Sequence, residues 1–340
     1  MDLFDDIDPP PKPPARTGEA AASDPQLLEI ARGLPEGLHL GTSSWSFPGW
    51  RGLVWRGDHT DSQLSRHGLS AYSSHPLLRC VSLDRSFYRP LSASEYAAYA
   101  AQVPDHFRFV VKAPSLVCDA LVRGSDGRGT QHNPAFLDPA LASNEFVQPA
   151  IEGLGGKIGA LVFQLSPLPA SRLSRLDEVL DRLAVMLAGL PALGPAAPDA
   201  VIAVEVRNPE FLSPAFARVL KSAGATYCLG LHPRMPPIEQ QLPMLRAMWP
   251  APLVCRWSLN EKHGASGYDE AKVMYEPFDR LQDPDPATRR SLVKLIAATT
   301  RAALPVYITV NNKAEGSAPL SVMALAMAVR EGDSAVDKVD

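Results

Sequence analysis

The sequence predicts an α/β protein folded as one (β/α)₈ TIM-like barrel. From residue 38 onward, short apolar or β-branched runs alternate with longer segments of helical periodicity, which is typical of parallel βα units. Eight such units over roughly 300 residues suit a barrel, for which about 250 residues is typical. A doubly wound sheet is disfavoured because no run is followed by a G-x-G-x-x-G or a G-x-x-x-x-G-K-[ST] pattern.

The predicted strands are read in chain order as follows. They are LHLGTSSW, RCVSLD, FRFVVKA, GALVFQL, VIAVEV, TYCLGL, LVCRW and VYITVNN. Helices are predicted near 61–74, 92–103, 139–154, 171–189, 213–223, 237–248, 285–303 and 317–330. The local signals agree with this assignment, since the segment from Ser92 to Glu95 resembles a capping box and Pro214 follows Ser213 as a first-turn proline.

The barrel is predicted to span residues 38–330, after a lead-in segment at 25–37 and before a C-terminal tail at 331–340. Residues 1–24 are rich in Pro, Asp and Ala and bury too little surface to offset their ordering entropy, so a disordered tail is expected. Its one apolar island, Asp2-Leu3-Phe4, is either incidental or a short docking peptide. The island weakly resembles peptides that dock on the bacterial sliding clamp, but their usual glutamine is missing.

Composition excludes several classes of function. Thirty-three basic residues against 37 acidic ones give a net charge of −4, which provides no global field for a nucleic acid backbone. No apolar signal region and no 18-residue apolar run is present, so no membrane association is expected. The four cysteines form no C-x-x-C pair, which argues against a zinc ribbon or a disulfide framework and favours a cytoplasmic location.

Candidate functional residues are sought where the strands end, because the loops after the strands build the site in a barrel. The candidates are Trp45, Asp84, Arg85, Tyr88, Lys112, Gln164, Glu205, Arg207, His232, Arg256, Asn311, Asn312 and Gly316. Together they form a polar and mildly cationic ring, which predicts a pocket for an anionic or phosphorylated ligand.

Individual roles follow from spacing and chemistry. Glu205 and Arg207 are two positions apart at the end of a strand, so their side chains project to the same side and an ion pair between them is expected. Glu205 is then either a general acid/base, with Lys112 or Arg207 setting its pKa, or a structural ion pair. Asp84 leaves the same two alternatives open, and a second carboxylate near Glu205 would allow glycosidase-type chemistry.

Two loops complete the predicted pocket. The stretch GTSSWSFPGWRGLVW ends the first strand and continues as its loop, in which Trp45 is the candidate stacking wall. The stretch VNNKAEGSAPLS joins the last strand to the last helix, and Gly316 would let backbone N–H groups approach a phosphate there. A plain strand-to-helix turn capped by Ser317 is the alternative.

Several segments resemble the YecE-like domain-of-unknown-function family. They are GTSSWSFPGWRG, SFYRPLSASEY, FRFVVKAP, LVFQLSP, VEVRNPEF and VNNKAEGSAPLSVMAL, which follow the family's order from about 39 to 330. The resemblance implies a TIM-barrel-like fold and no established reaction. The resemblance also implies a set of pocket residues, which are Lys112, Gln164, Glu205, Arg207, Arg256, Asn311, Asn312 and Gly316.

The chain also departs from the family's pattern. Ser82 and Asp84 stand where the family has glutamate and asparagine, and Asp119 and Ser258 stand where it has histidines. A multinuclear metal site needs several His and carboxylate ligands, and here Asp84, Glu205 and His232 face competing cations. No cofactor and no tightly bound metal are therefore predicted, although Mg²⁺ brought in by substrate phosphates stays open.

Two classes of function remain. One is a hydrolase or lyase that acts on a phosphate-bearing, sugar-containing or nucleotide-containing substrate, with Glu205 as acid/base and the cations stabilising charge. The other is a non-catalytic barrel that binds a small ligand or associates with nucleic acid. The sequence leaves open whether the protein is an enzyme.

Overall fold

The computed structural model describes residues 19–22, 24–123 and 129–336. Eight parallel strands close into a barrel in which each strand pairs with the next along the chain and the last pairs with the first. The strands are β1 (Leu38–Thr42), β2 (Cys80–Leu83), β3 (Arg108–Lys112), β4 (Ile158–Gln164), β5 (Val201–Glu205), β6 (Thr226–Leu231), β7 (Leu253–Trp257) and β8 (Val306–Val310). The predicted (β/α)₈ barrel and all eight predicted strands are confirmed.

Helices surround the barrel at the eight predicted places, and a further helix, Tyr268–Tyr275, lies where none is predicted. They are Asp61–His67, Leu69–Ser73, Ala93–Ala100, Pro139–Ala142, Gln148–Leu154, Ala170–Leu173, Leu176–Ala188, Pro214–Ser222, Ile238–Met248, Tyr268–Tyr275, Pro286–Arg301 and Ala318–Val336. A π-helical turn, Ser143–Val147, joins the fourth and fifth of these. Shorter helical segments lie at Arg85–Tyr88, Ser115–Cys118, Pro48–Trp50, Gly155–Lys157, Pro209–Phe211, Glu261–His263 and Asn312–Ala314.

The predicted helix starts are confirmed at two positions. The Ser92 side chain accepts a hydrogen bond from the Glu95 N–H, and the Glu95 carboxylate accepts one from the Ser92 N–H, which completes a capping box. The Ser213 hydroxyl caps the helix that begins at Pro214 by accepting a hydrogen bond from the Phe216 N–H. Local sequence therefore determines where these two helices begin.

The ends of the described chain extend the barrel. Of the predicted tail, residues 1–18 and 23, including the Asp2-Leu3-Phe4 island, lie outside the described residues. Glu19–Ala20 pair with Trp55–Arg56 in an antiparallel ribbon, and the lead-in segment forms the helix Pro25–Arg32, which Asp24 caps. The last helix continues to Val336, beyond the predicted domain end at 330, because no proline interrupts it.

Strand alternation divides the lumen of the barrel into layers. A lumen plug of apolar side chains fills its middle. These are Val110, Ala160, Val162, Ala203, Cys228, Val254 and Tyr307, each at most 1% exposed. Since successive side chains alternate across a strand, the residues two positions further along face the lumen as well, above the plug. These include Lys112, Gln164, Glu205 and Arg256, so the strands that build the plug also carry the polar candidates.

Two further findings bear on the sequence predictions. The four cysteines are free and buried. Among the described residues, no helix is long and apolar enough to cross a membrane.

Candidate functional site

A largely buried ion network, which we call the mouth network, lies directly above the lumen plug. It consists of Asp84, Gln164, Glu205, Arg207 and Arg256. Arg256 is at its centre: Nη1 donates to Glu205 Oε2 at 2.7 Å and to Gln164 Oε1 at 2.9 Å, and Nη2 donates to both Asp84 oxygens at 3.0 Å. One guanidinium thereby joins side chains from the ends of three other strands, as its planar fork of donors permits.

The predicted ion pair between Glu205 and Arg207 is confirmed. Arg207 Nη2 lies 2.6 Å from Glu205 Oε1 and also donates to Gln164 Oε1 at 3.3 Å. Glu205 is fully buried, and Gly230 in β6 makes room for it, because a Cβ there would lie 3.1 Å from Glu205 Oε1. Arg207 Nη1 is buried and has no hydrogen-bond partner among the described residues.

Both carboxylates of the network are held in the charged form. Burial alone would raise the pKa of Glu205, but Arg207 and Arg256 outweigh it and lower that pKa below its usual range. The same balance lowers the pKa of Asp84, where Arg256 and Lys112 supply the opposing charge. Arg256 in turn has its pKa raised by the two carboxylates. At neutral pH the network therefore contains two carboxylates and two guanidiniums.

Lys112 stands beside the network and is not tied into it. Its Nζ lies 3.5 Å from the centre of the Phe87 ring and makes no hydrogen bond or ion pair with any described residue. Burial is the largest influence on its pKa, which falls to about 8 although the Asp84 carboxylate opposes the shift. Lys112 is thus a half-buried cation whose proton is exchangeable near neutral pH.

Asn311 reaches the rim of the mouth through a residue that the sequence analysis missed. Its Nδ2 donates to the Tyr268 hydroxyl at 3.2 Å, and its Oδ1 accepts from the Lys313 N–H. Burial and the Asp84 carboxylate raise the pKa of Tyr268 to about 12, so its hydroxyl stays protonated. Tyr268 lies in the long segment after β7, where no local pattern distinguishes it from surface residues.

Trp45, Arg85 and Tyr88 lie at the outer edge of the mouth. Trp45 is 7% exposed, and its indole N–H donates to the Leu64 carbonyl at 3.1 Å, which anchors the ring. Trp45, Asp84 and Arg85 line a small cleft of ≈ 110 Å³. Tyr88 is 82% exposed and contacts Phe87 edge to face. Trp45 is therefore mostly packed, and its role as a stacking wall stays a prediction.

Asn312 and Gly316 support the last loop from within the protein. Asn312 Oδ1 accepts hydrogen bonds from the Trp50 indole at 3.1 Å and from the Ala318 N–H at 2.8 Å. Gly316 has φ 113°, and a Cβ there would lie 2.6 Å from the Arg280 carbonyl oxygen. Asn312 and Gly316 thus hold the last loop against neighbouring elements.

In the described ranges, no three His, Cys, Asp or Glu side chains converge in a way that could hold a metal ion. His232 Nδ1 accepts a hydrogen bond from the Arg234 N–H at 3.1 Å, and burial together with Arg207 lowers its pKa to about 4. His232 is therefore held within its own loop by this hydrogen bond. The oxygens of Asp84 and Glu205 are already occupied by guanidinium groups.

These features define a closed (β/α)₈ barrel with a charged and internally paired mouth. Residues 39–339 match the model of the family of proteins of unknown function DUF72, and the chain belongs to that family. The resemblance found in the sequence is thereby confirmed.

Solved structures share the fold. A DUF72 family protein from Enterococcus faecalis is 18% identical, with a TM-score of 0.56 over 86% of this chain and 95% of that one. Another from Thermotoga maritima is 19% identical, with a TM-score of 0.54 over 86% and 98% of the two chains. At these identities the likeness shows the fold alone. The search of curated proteins gave no match.

Proposed function

We propose that the barrel mouth binds a small anionic ligand that carries a phosphate group. One observation carries this proposal: Glu205 Oε1 lacks a hydrogen bond but is ion-paired with Arg207 Nη2 at 2.6 Å, whereas two cationic groups at the mouth have neither kind of partner among the described residues. They are the Lys112 ammonium and the buried Nη1 of Arg207. Buried polar groups are normally satisfied, so a cationic donor left over at the mouth favours an acceptor supplied from outside.

The charge balance of the mouth supports the same ligand class. Lys112, Arg207 and Arg256 face Asp84 and Glu205, which leaves one net positive charge while Lys112 is protonated. Arg256 has its hydrogen bonds occupied by the two carboxylates and Gln164, so it orders the site rather than offering donors to a ligand. A phosphate group would receive hydrogen bonds from Arg207 and Lys112.

The geometry favours Lys112 over Glu205 as the group that moves a proton. Glu205 is fully buried between two guanidiniums that hold it ionised, whereas Lys112 has a pKa of about 8. Proton transfer is most efficient when the pKa of the catalytic group lies near the working pH. The Arg256 guanidinium also donates to both Asp84 and Glu205, and this shared pairing disfavours the use of the two carboxylates on a glycosidic bond.

Binding is tested by titrating inorganic phosphate calorimetrically into the wild-type protein and into Lys112→Met and Arg207→Met. Lys112→Met removes no internal hydrogen bond, so the variant should fold. Its affinity for phosphate should fall by about tenfold or more. Lys221→Met and Arg218→Met, on the helix Pro214–Ser222, serve as matched controls with unchanged affinity. Equal affinity in the wild-type protein and both mouth variants would exclude the proposed site.

The two classes of function are separated by activity rather than affinity. A hydrolase should cleave p-nitrophenyl phosphate or bis(p-nitrophenyl) phosphate, with Mg²⁺ added in one arm because substrate phosphates could bring it in. Lys112→Arg keeps the charge but cannot release the proton, so it should retain phosphate binding and lose turnover. A non-catalytic barrel, binding a small ligand or a nucleic acid, would bind phosphate with no turnover in any variant.

A further inference from the structure

A wide cleft opens at the opposite end of the barrel, where the strands begin. We call it the basal cleft. It has a volume of ≈ 1070 Å³. Its lining comes from residues within 32–39 and 300–307 and from Pro76, Arg79, His106, Arg108 and Asp199. The lumen plug separates it from the mouth network. Its size suits a drug-sized molecule, since ligand pockets commonly measure about 300–1,000 Å³.

The basal cleft carries more positive charge than it neutralises. Four arginines line it, against the carboxylates of Glu36 and Asp199. The four are Arg32, Arg79, Arg108 and Arg301. Arg108 Nη2 lies 3.3 Å from Asp199 Oδ2, and Arg79 Nη2 donates to the Ala31 carbonyl at 2.7 Å. Arg32 and Arg301 are exposed and make no ion pair within the described part of the chain.

The inner surface of the cleft combines this charge with flat apolar groups. The His39 ring stacks on Tyr307, with centroids 5.1 Å apart and an interplanar angle of 21°. Leu34, Pro76 and Pro305 line the cleft as well. Burial lowers the pKa of His39 to about 4, with Arg108 and Arg79 contributing, so the imidazole is neutral and offers an uncharged aromatic surface. Its Nδ1 has no hydrogen-bond partner among the described residues.

We propose that the basal cleft is a second ligand site, for an organic anion in which a phosphate or carboxylate group is joined to a flat apolar body. The anionic group would lie near Arg32, Arg108 and Arg301, whose guanidinium forks suit both kinds of oxygen. The flat body would lie against His39 and the apolar walls, where ring contacts add to the buried area. Such a ligand matches both the charge excess and the shape of the cleft.

The test is calorimetric titration of the full-length Arg207→Met protein, in which the mouth site is disabled, with phenyl phosphate and with benzoate, compared with methyl phosphate and phenol. Phenyl phosphate or benzoate should bind saturably. Methyl phosphate lacks the flat apolar body and phenol lacks the anionic group, so the affinity of each should be lower by about tenfold or more. Arg32→Glu with Arg301→Glu should weaken binding about tenfold or more. Both side chains are exposed, so the double variant should fold.

Two controls locate the binding. Arg218→Glu with Arg290→Glu changes the net charge equally at exposed positions outside the cleft, and Arg290 lies on the same helix as Arg301. This variant should bind phenyl phosphate as the wild type does. In the wild-type protein phenyl phosphate should bind at the mouth as well, and Arg207→Met should remove only that second binding event, so this proposal and the mouth proposal can fail independently.

Three results would overturn the proposal. The first is the absence of saturable binding of phenyl phosphate and benzoate to Arg207→Met, which would assign the anion to the mouth. The second is unchanged affinity when Arg32→Glu and Arg301→Glu are added to that protein. The third is equal affinity for methyl phosphate or phenol. Preference for phenyl phosphate over benzoate would identify the anionic group as phosphate, and the reverse order would identify it as carboxylate.

Discussion

Two adjacent layers of the lumen are built by the same strands and have opposite chemistry. In β5 and β7, Ala203 and Val254 belong to the apolar plug, whereas Glu205 and Arg256, two residues further on, belong to the charged network. The backbone hydrogen bonding and the direction of the side chains are the same in both layers. The comparison shows that a layer that stabilises the fold and a layer available for binding lie only two residues apart along a strand.

The largest effect should follow from removing the centre of the charged layer. Arg256→Met leaves Asp84 without its bidentate partner and Glu205 with only one cation, so we expect a loss of about 3–5 kcal/mol in the free energy of unfolding. Urea denaturation measures it. The exposed Arg290→Met should change the same quantity by less than about 0.5 kcal/mol.

A double variant sharpens this prediction. Glu205→Gln with Arg256→Met removes one buried charge of each sign, so it should be more stable than the sum of the single losses predicts. Strict additivity of the two losses would show that the pair does not interact energetically in the folded protein.

A smaller effect is expected in the apolar layer. Val254→Ala removes two methyl groups from a fully buried position and should cost about 2 kcal/mol. Because the plug does not contact the ligand in our proposal, the affinity for inorganic phosphate should stay within about twofold of wild type. A loss of affinity as large as that of Lys112→Met would contradict the division into two layers.

The smallest effect for each pH unit is a change in the slope of unfolding free energy against pH. The pKa of Lys112 falls from its usual 10.5 to about 8, so between these values the unfolded chain holds a proton that the folded chain has lost. Stability contributed by this group therefore rises with pH across that window, by at most about 1.4 kcal/mol per pH unit. Subtracting the unfolding free energies of Lys112→Met from those of the wild type, pH by pH, isolates the slope. A flat difference would mean that Lys112 titrates normally.

The sequence predicts the barrel well because the signals for it are local. Alternating apolar runs mark the strands, and residues such as Ser92 and Ser213 mark helix starts within one turn. The ion pair of Glu205 with Arg207 is predictable for the same reason, since strand parity alone brings the two side chains to the same side.

The arrangement of the site is less predictable because it depends on distant residues. Arg256 joins Asp84 and Glu205, which are 172 and 51 positions away, and strand order alone does not show which cation takes both carboxylates. For the same reason the sequence does not reveal Tyr268 and favours Glu205 over Lys112 as the acid/base residue. Asn312 and Gly316 carry the opposite lesson, because both match the family pattern and both serve the packing of a loop.

The measurement that tests the proposed anion site most directly is the pKa of Lys112, followed by NMR of ¹³C-labelled lysine side chains, with the Lys112→Met spectrum assigning the signal. In the free protein the pKa should be about 8, and saturating inorganic phosphate should raise it, because a nearby anion favours the charged ammonium. Lys221, outside the mouth, provides the reference signal. If phosphate changes the pKa of Lys112 no more than it changes the pKa of Lys221, the result would contradict an anion site at the barrel mouth.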